Sequence, residues 1–339
     1  MAAPIETVRD ISRVAYGFIS SSALFTALEL GLFTVLHDRP RGGDDLAREL
    51  AVRSNGLAIL LALLEAEGLV YRDAQGRYAN SPAADKYLVR GSPQDYSEYV
   101  RLLTGRQIYT ILPKALGGLR GDAAEMAHQG IESWLADRDE AETFSRAQHD
   151  GSLGPAWQLA KRLDLEGCGS LLDVAGGSGA FSITLCSLHH ELRATIIDFP
   201  AVVDVARRYV AEAELSARIG FLTGDALEVA WPVDQDLVLM SYLFCNVPGQ
   251  RHPDLMTRAF GSTRAGGRVV IHDFMLDDDR CGPLGAAQWL YTNLPLAMDA
   301  PAFTGKELAA LAETCGFIDA TVEVLIPGLT KTMTAHKPA

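Results

Sequence analysis

From Leu163 to the C-terminus, five short β-rich runs alternate with helical stretches: Ser170–Ala175, Ala194–Phe199, Ile219–Gly224, Asp236–Tyr242 and Arg268–Phe274. Parallel strands cannot be joined by a tight turn; each needs a crossover, usually a helix, so this alternation predicts a doubly wound parallel sheet with helices on both faces. Such a sheet gathers the loops after its strands along one edge, where ligands bind. The tail departs from the alternation. Ala320–Ile326, the turn Pro327-Gly328-Leu329 and Thr330–His336 read as an antiparallel hairpin closing the sheet.

The first half of the chain has a different pattern. Ile5, Val8, Ile11, Val14, Ala15 and Phe18 recur at helical spacing, and a second apolar helix, Ala23–Leu36, is expected after Ser20-Ser21-Ser22. Asp44–Leu50, Ser54–Gly68 and Leu69–Ala79, with a turn at Asp73-Ala74-Gln75-Gly76, read as helix, helix and two-stranded hairpin, a winged-helix order. Winged helices often bind DNA, but the recognition-helix position, Ser54–Gly68, holds no Lys or Arg and cannot engage phosphates. Residues 81–150 read as helical, with Tyr96, Tyr99, Tyr109 and Trp134 as aromatic anchors and Gly117, Gly118 and Gly121 as breaks. The expected division is 1–105, an N-terminal helical and winged-helix domain whose apolar surface packs against another subunit or the second domain; 106–150, a helical linker contributing to a pocket; and 151–339, the ligand-binding α/β domain.

Length, 339 residues, and 48% hydrophobic composition allow two domains. A formal net charge of −13 weighs against a nucleic-acid partner. Five scattered cysteines, none at C-x-x-C or zinc spacing, are expected to be free thiols. With no run of about eighteen uncharged apolar residues and no signal-like N-terminus, neither a membrane partner nor export is expected, and the cytoplasm is the expected location.

The sharpest motif follows the first strand: Asp173-Val174-Ala175-Gly176-Gly177-Ser178-Gly179 leads straight into a helix. Small residues there let the backbone turn tightly and let a ligand approach. Asp198, ending the second strand, can accept both hydroxyls of a ribose, and Asp225, beside Ala226 after the third, can accept the amine of adenine. A dinucleotide would use a similar turn, but neither G-x-G-x-x-G frame is intact: Ser182 takes the third glycine position in one and Ser178 the second in the other. Asp173 also opposes a pyrophosphate, yet suits an ammonium group.

These motifs resemble the two-domain, S-adenosylmethionine-dependent small-molecule O-methyltransferases, which include plant caffeate-type and bacterial polyketide-tailoring enzymes. The resemblance rests on Ala27-Leu28-Glu29-Leu30-Gly31-Leu32-Phe33, the Asp173–Gly179 turn, Asp198-Phe199-Pro200, Gly224-Asp225 and Gly266-Gly267-Arg268. It implies a Rossmann-like catalytic domain, an N-terminal winged-helix-like domain that forms a homodimer, S-adenosyl-L-methionine as cofactor and a hydroxylated aromatic acceptor from natural-product biosynthesis. The implied cofactor set is Asp173, Gly176, Gly177, Gly179, Asp198, Asp225, Ala226 and Ser241.

The catalytic positions depart from the family. Where it carries a histidine base, this chain has Cys245 in Phe244-Cys245-Asn246-Val247, and the glutamate that orients the base falls near Ala302. Methyl transfer from a sulfonium is downhill and gains much of its rate from alignment, so a base is dispensable. Asn246 then suits an orienting role, and the family also contains aromatic C-methyltransferases with no histidine there. His149 is the first alternative base and His252 the second; Cys245 has no basic neighbour to make it a thiolate. Asp273 stands where the family has a glutamate, as a structural or pocket residue. Asp277-Asp278-Asp279 reads as a solvated loop and not as a metal site, since adjacent carboxylates diverge.

Overall fold

The computed structural model of the chain describes residues 4–121, 135, 138–296 and 302–339. Two compact units are present, Ala3–Thr110 and one that takes in Ile111–Ala339. The boundary differs from the expected three-way division: the helix Arg138–Ala160 runs unbroken across residue 150.

The N-terminal unit begins with a single helix, Val8–Glu29, started by a capping box between Thr7 and Asp10. The break expected at Ser20–Ser22 is absent. Ser21 donates to the Gly17 carbonyl and Ser20 to the Glu67 carboxylate, so neither hydroxyl competes with the helix for its backbone amides. The chain turns instead at Gly31, at φ 69°, before the helix Leu32–His37. The winged-helix order follows: helices Gly43–Glu49 and Ser54–Ala66, then strands β1 (Val70–Arg72) and β2 (Tyr78–Asn80). Asp73 tightens the hairpin by accepting from the amides of Gln75 and Arg77. Leu57, Leu61 and Leu64, one helical face, are buried with Leu28, Leu32, Phe33 and Leu46.

The helix Val8–Glu29 buries only Ala23, Ala27 and Leu28, whereas Val8, Ile11, Val14 and Phe18 are each more than half exposed. By length and hydropathy alone it is, among the described residues, long and apolar enough to cross a membrane. A π-helical stretch, Tyr99–Ile108, closes the unit. Tyr96 and Tyr99 stack at 4.7 Å, and Tyr109 packs edge-on to Phe25 at 5.3 Å. In the second unit the helix Ala115–Arg120 passes through Gly117 and Gly118, where breaks were expected, and stops at Gly121, at φ 74°. Trp134 lies outside the described residues.

The C-terminal unit holds a seven-stranded sheet ordered β5-β4-β3-β6-β7-β9-β8. Strands β3 (Ser170–Val174), β4 (Arg193–Asp198), β5 (Ile219–Thr223), β6 (Gln235–Ser241) and β7 (Thr263–Asp273) run parallel, while β8 (Ile318–Ile326) and β9 (Thr330–His336) form the expected antiparallel hairpin. Leu171, Leu237 and Leu239 belong to one core, and Leu172, Val174, Val238 and Met240 to another, as side-chain alternation in a sheet buried on both faces requires. From β3 the chain builds outward to β5, then returns to place β6 on the other side of β3. That reversal opens a crevice beyond the carboxyl ends of β3 and β6, where a ligand site belongs.

Candidate cofactor and acceptor site

A cavity of about 460 Å³ occupies that crevice. Its floor is the turn after β3, in which Ala175, Gly177 and Gly179 take φ of 54°, 59° and 81°. A positive φ at Ala175 is strained backbone at a ligand site. The turn folds down onto Asp173: a Cβ on Gly176 would stand 2.7 Å from the Asp173 Cγ. The Asp173 carboxylate is completely buried. Its Oδ2 accepts from the Ser182 hydroxyl at 2.6 Å, while Oδ1 has no partner. Burial raises its pKa to about 6. An orphaned carboxylate oxygen lining a cavity is costly unless a cation completes it, and the ammonium of a methionine moiety is such a group.

Asp198 joins the first two loops. Its Oδ2 accepts the Gly177 amide and its Oδ1 the Phe199 amide, both at 2.8 Å, and burial lifts its pKa to about 6. Each oxygen keeps acceptor capacity for a ribose hydroxyl. After β5, Gly224 adopts φ 144°, where a Cβ would meet Val229 at 2.4 Å. Asp225 then caps its own loop by accepting from the Leu227 amide at 2.8 Å. Ala226 lines the cavity beside it.

On the β6 side, Ser241 lines the cavity and shares a 2.9 Å hydrogen bond with Nδ1 of His272, whose Nε2 meets the Thr330 hydroxyl at 2.9 Å. Burial depresses His272 to a pKa of about 3, so it is neutral and fixes the Ser241 hydroxyl. Tyr242, at φ 56°, also lines the cavity, packed against His272 and stacked on Phe274 at 4.9 Å.

Eight residues singled out from sequence line this one cavity: Asp173, Gly176, Gly177, Asp198, Asp225, Ala226, Ser241 and Asn246. Gly179 shapes the turn as the N-cap of the helix Ala180–Leu188. Three catalytic candidates, His149, Cys245 and His252, fall outside the lining. His149 stacks on Tyr209 (3.8 Å, 7° between planes), its Nδ1 lies 2.9 Å from the Ser178 hydroxyl, and burial lowers its pKa to about 4. The imidazole therefore braces the helix Arg138–Ala160 against the glycine-rich turn and does not face the cavity. Cys245 is buried; its amide donates to Asp273, and desolvation holds the thiol well above its usual range.

His252 and Asp273 hold the loop that carries Asn246. The His252 Nε2 lies 2.9 and 3.1 Å from the carbonyls of Phe244 and Val247, so it carries the proton and donates to both. Asp273, which does not line the cavity, accepts the amides of Cys245 and Phe274. Asn246 spends its Nδ2 on the Tyr242 carbonyl at 2.7 Å. Ala302 is exposed, its carbonyl taken by Arg280. Asp277 pairs with Lys331 and Asp279 accepts the Cys281 amide; among the described residues no group of three side chains is arranged to hold a metal.

Sequence reasoning expected residues 106–150 to contribute to a pocket but did not name the side chains that do so. Phe144, Ser145, Gln148 and Ser152 line the cavity from one face of the helix Arg138–Ala160. Their near-helical spacing was the available signal.

Comparison with known proteins agrees with this geometry. Residues 124–318 match the O-methyltransferase domain family and residues 12–90 the O-methyltransferase dimerisation domain. A 3-hydroxy-5-methyl-1-naphthoate 3-O-methyltransferase of Streptomyces sahachiroi is 28% identical, with 94% of this chain and 92% of that protein covered. Acetylserotonin O-methyltransferase of Bos taurus is 30% identical over 91% and 92%. Human N-acetylserotonin methyltransferase, solved with S-adenosylmethionine, superposes with a TM-score of 0.86 over the full length of both chains at 22% identity. The chain belongs to the two-domain, S-adenosylmethionine-dependent O-methyltransferase family.

Proposed function

We propose that this enzyme transfers the methyl group of S-adenosylmethionine to a hydroxyl of a small aromatic molecule in secondary metabolism. The observation that carries the reading is the continuity of one cavity: three carboxylates, Asp173, Asp198 and Asp225, gather at its cofactor end, and Phe144, Leu243, Val247 and Leu296 wall it with apolar surface. When bound, the cofactor supplies an electrophilic methyl carbon and its sulfur keeps the electron pair of the broken C–S bond. Asp173 would hold the ammonium, Asp198 the ribose and Asp225 the adenine amine. Among the described residues no histidine, lysine or arginine lines the cavity. These residues therefore contribute alignment, and the acceptor's proton passes to solvent. Asn246, its amide fixed by one N–H donated to the Tyr242 carbonyl, presents Oδ1 to orient the acceptor hydroxyl.

Ring-carbon methylation is the second reading, favoured by the same lack of a basic side chain among the described lining residues, since an electron-rich carbon attacks before it loses its proton. Labelled methyl donor, candidate phenols and NMR of the products decide between the two; a label on ring carbon overturns O-methylation. The exposed apolar face of the helix Val8–Glu29 lies largely within the segment matched to the dimerisation family. It is best covered by a second copy of the chain, in a cytoplasmic homodimer, and not by lipid.

A further inference from the structure

We propose that the acceptor is uncharged, held by hydrogen bonds from Ser145, Gln148 and Asn246, and that the site discriminates against acceptors carrying a carboxylate. This rests on the methyltransferase reading of the same cavity. Ser145 is 2% exposed, lines the cavity, and its hydroxyl has no partner among the described residues. A buried hydroxyl left unpaired is costly, so it marks a place where a ligand atom belongs. Gln148 follows three residues later on the same helix face and also lines the cavity. Asn246 adds to them: one N–H of its Nδ2 is donated to the Tyr242 carbonyl, which fixes the amide and leaves Oδ1 as an acceptor for an O–H or N–H of the ligand, beside one further N–H. Together the three offer donors and acceptors but no formal charge.

Charge settles what such a set admits. The titratable groups lining the cavity among the described residues are the three carboxylates and the Tyr242 phenol, and no Lys or Arg accompanies them. The stretches 122–134, 136–137 and 297–301 contain no Lys or Arg either. S-adenosylmethionine brings one net positive charge against three negative ones, and its demethylated product brings none. An acceptor carboxylate would be desolvated beside an excess of like charge with no counter-ion among the described residues.

Three probes test this: a naphthol, the same naphthol bearing a ring carboxylate, and the methyl ester of that acid, each titrated at pH 8 by calorimetry into the enzyme saturated with S-adenosylhomocysteine. The naphthol and ester should bind, and the acid at least about a hundredfold more weakly. Gln148→Lys should recover tenfold or more of the acid's affinity, and Ser145→Ala should weaken naphthol severalfold, with unfolding temperatures checking that both variants fold. Acid binding as well as ester, or none of the three binding, overturns the proposal while leaving the cofactor reading intact. Failure to bind S-adenosylhomocysteine itself would instead overturn the methyltransferase reading.

Discussion

The two ends of the cavity are built differently. The cofactor end is made by backbone: a turn with three residues at positive φ, amides of Gly177 and Phe199 anchoring Asp198, and a Gly224 site with no room for a Cβ. The acceptor end is made by side chains from separate segments, Phe144 to Ser152 on one helix and Tyr242 to Pro248 after β6. Backbone-built sites leave short, dense signatures in sequence because few residues tolerate the geometry. Side-chain-built sites leave none, because almost any residue fits the helix and only its facing decides its role. The contrast predicts that substitutions at the cofactor end act on binding steeply, and at the acceptor end act on rate moderately.

The largest effect is expected at Asp198. Asp198→Ala removes the ribose acceptor and unties Gly177, and should weaken S-adenosylmethionine and S-adenosylhomocysteine alike by about 1–3 kcal/mol, roughly 5- to 150-fold. Calorimetry checks it, and unchanged affinity would sever Asp198 from the cofactor. The same carboxylates predict a pH dependence. Burial raises Asp173 and Asp198 to about 6. A folded-state pKa above the unfolded one means that folding takes up protons, so these two groups make the free enzyme less stable as pH rises from about 4 to 6. Cofactor binding needs the ionised forms, so affinity should rise through pH 6, by on the order of tenfold per pH unit for each carboxylate being titrated. Affinity flat from pH 5 to 8 would contradict that arrangement.

At the acceptor end, Asn246→Ala should raise the Michaelis constant for the acceptor and lower turnover about tenfold, leaving cofactor affinity unchanged. Asn246→Asp, keeping the acceptor oxygen but adding charge, should lose more than Asn246→Ala. A loss confined to cofactor binding would place Asn246 at the wrong end of the cavity.

The same contrast explains what could be read in advance. The five parallel strands, the hairpin, and the set from Asp173 to Asp225 were legible because strand periodicity and glycine placement constrain backbone directly. The continuous helix through Ser20–Ser22 was not, because hydroxyls that signal a cap elsewhere are used differently here: Ser21 bonds back to the Gly17 carbonyl one turn earlier and Ser20 reaches Glu67. Ser145 and Gln148 were passed over in favour of His149, one residue along, since sequence shows the chemistry of a side chain and not which way its helix turns it. Cys245 was placed at the family's base position, and the structure puts its thiol outside the cavity lining while its neighbour Asn246 lines the wall.

His149 should show the smallest effect, and it separates the two ends most finely. It lies next to Gln148 in sequence, yet its imidazole serves the cofactor end, bonded to Ser178 in the glycine-rich turn and stacked on Tyr209. Its pKa, depressed to about 4, leaves it neutral across the working range, so no inflection near pH 6.5 should come from it. His149→Ala should cost the brace alone: cofactor affinity severalfold weaker, saturated turnover within about threefold of wild type, and the same pH profile above pH 6. His149→Asn can keep a polar contact to Ser178 and should recover most of that affinity without restoring any titration. General-base catalysis predicts the reverse: turnover down about a hundredfold or more with cofactor affinity intact. A loss of that size, rescued by added imidazole, would move His149 across to the acceptor end and return it to the chemistry.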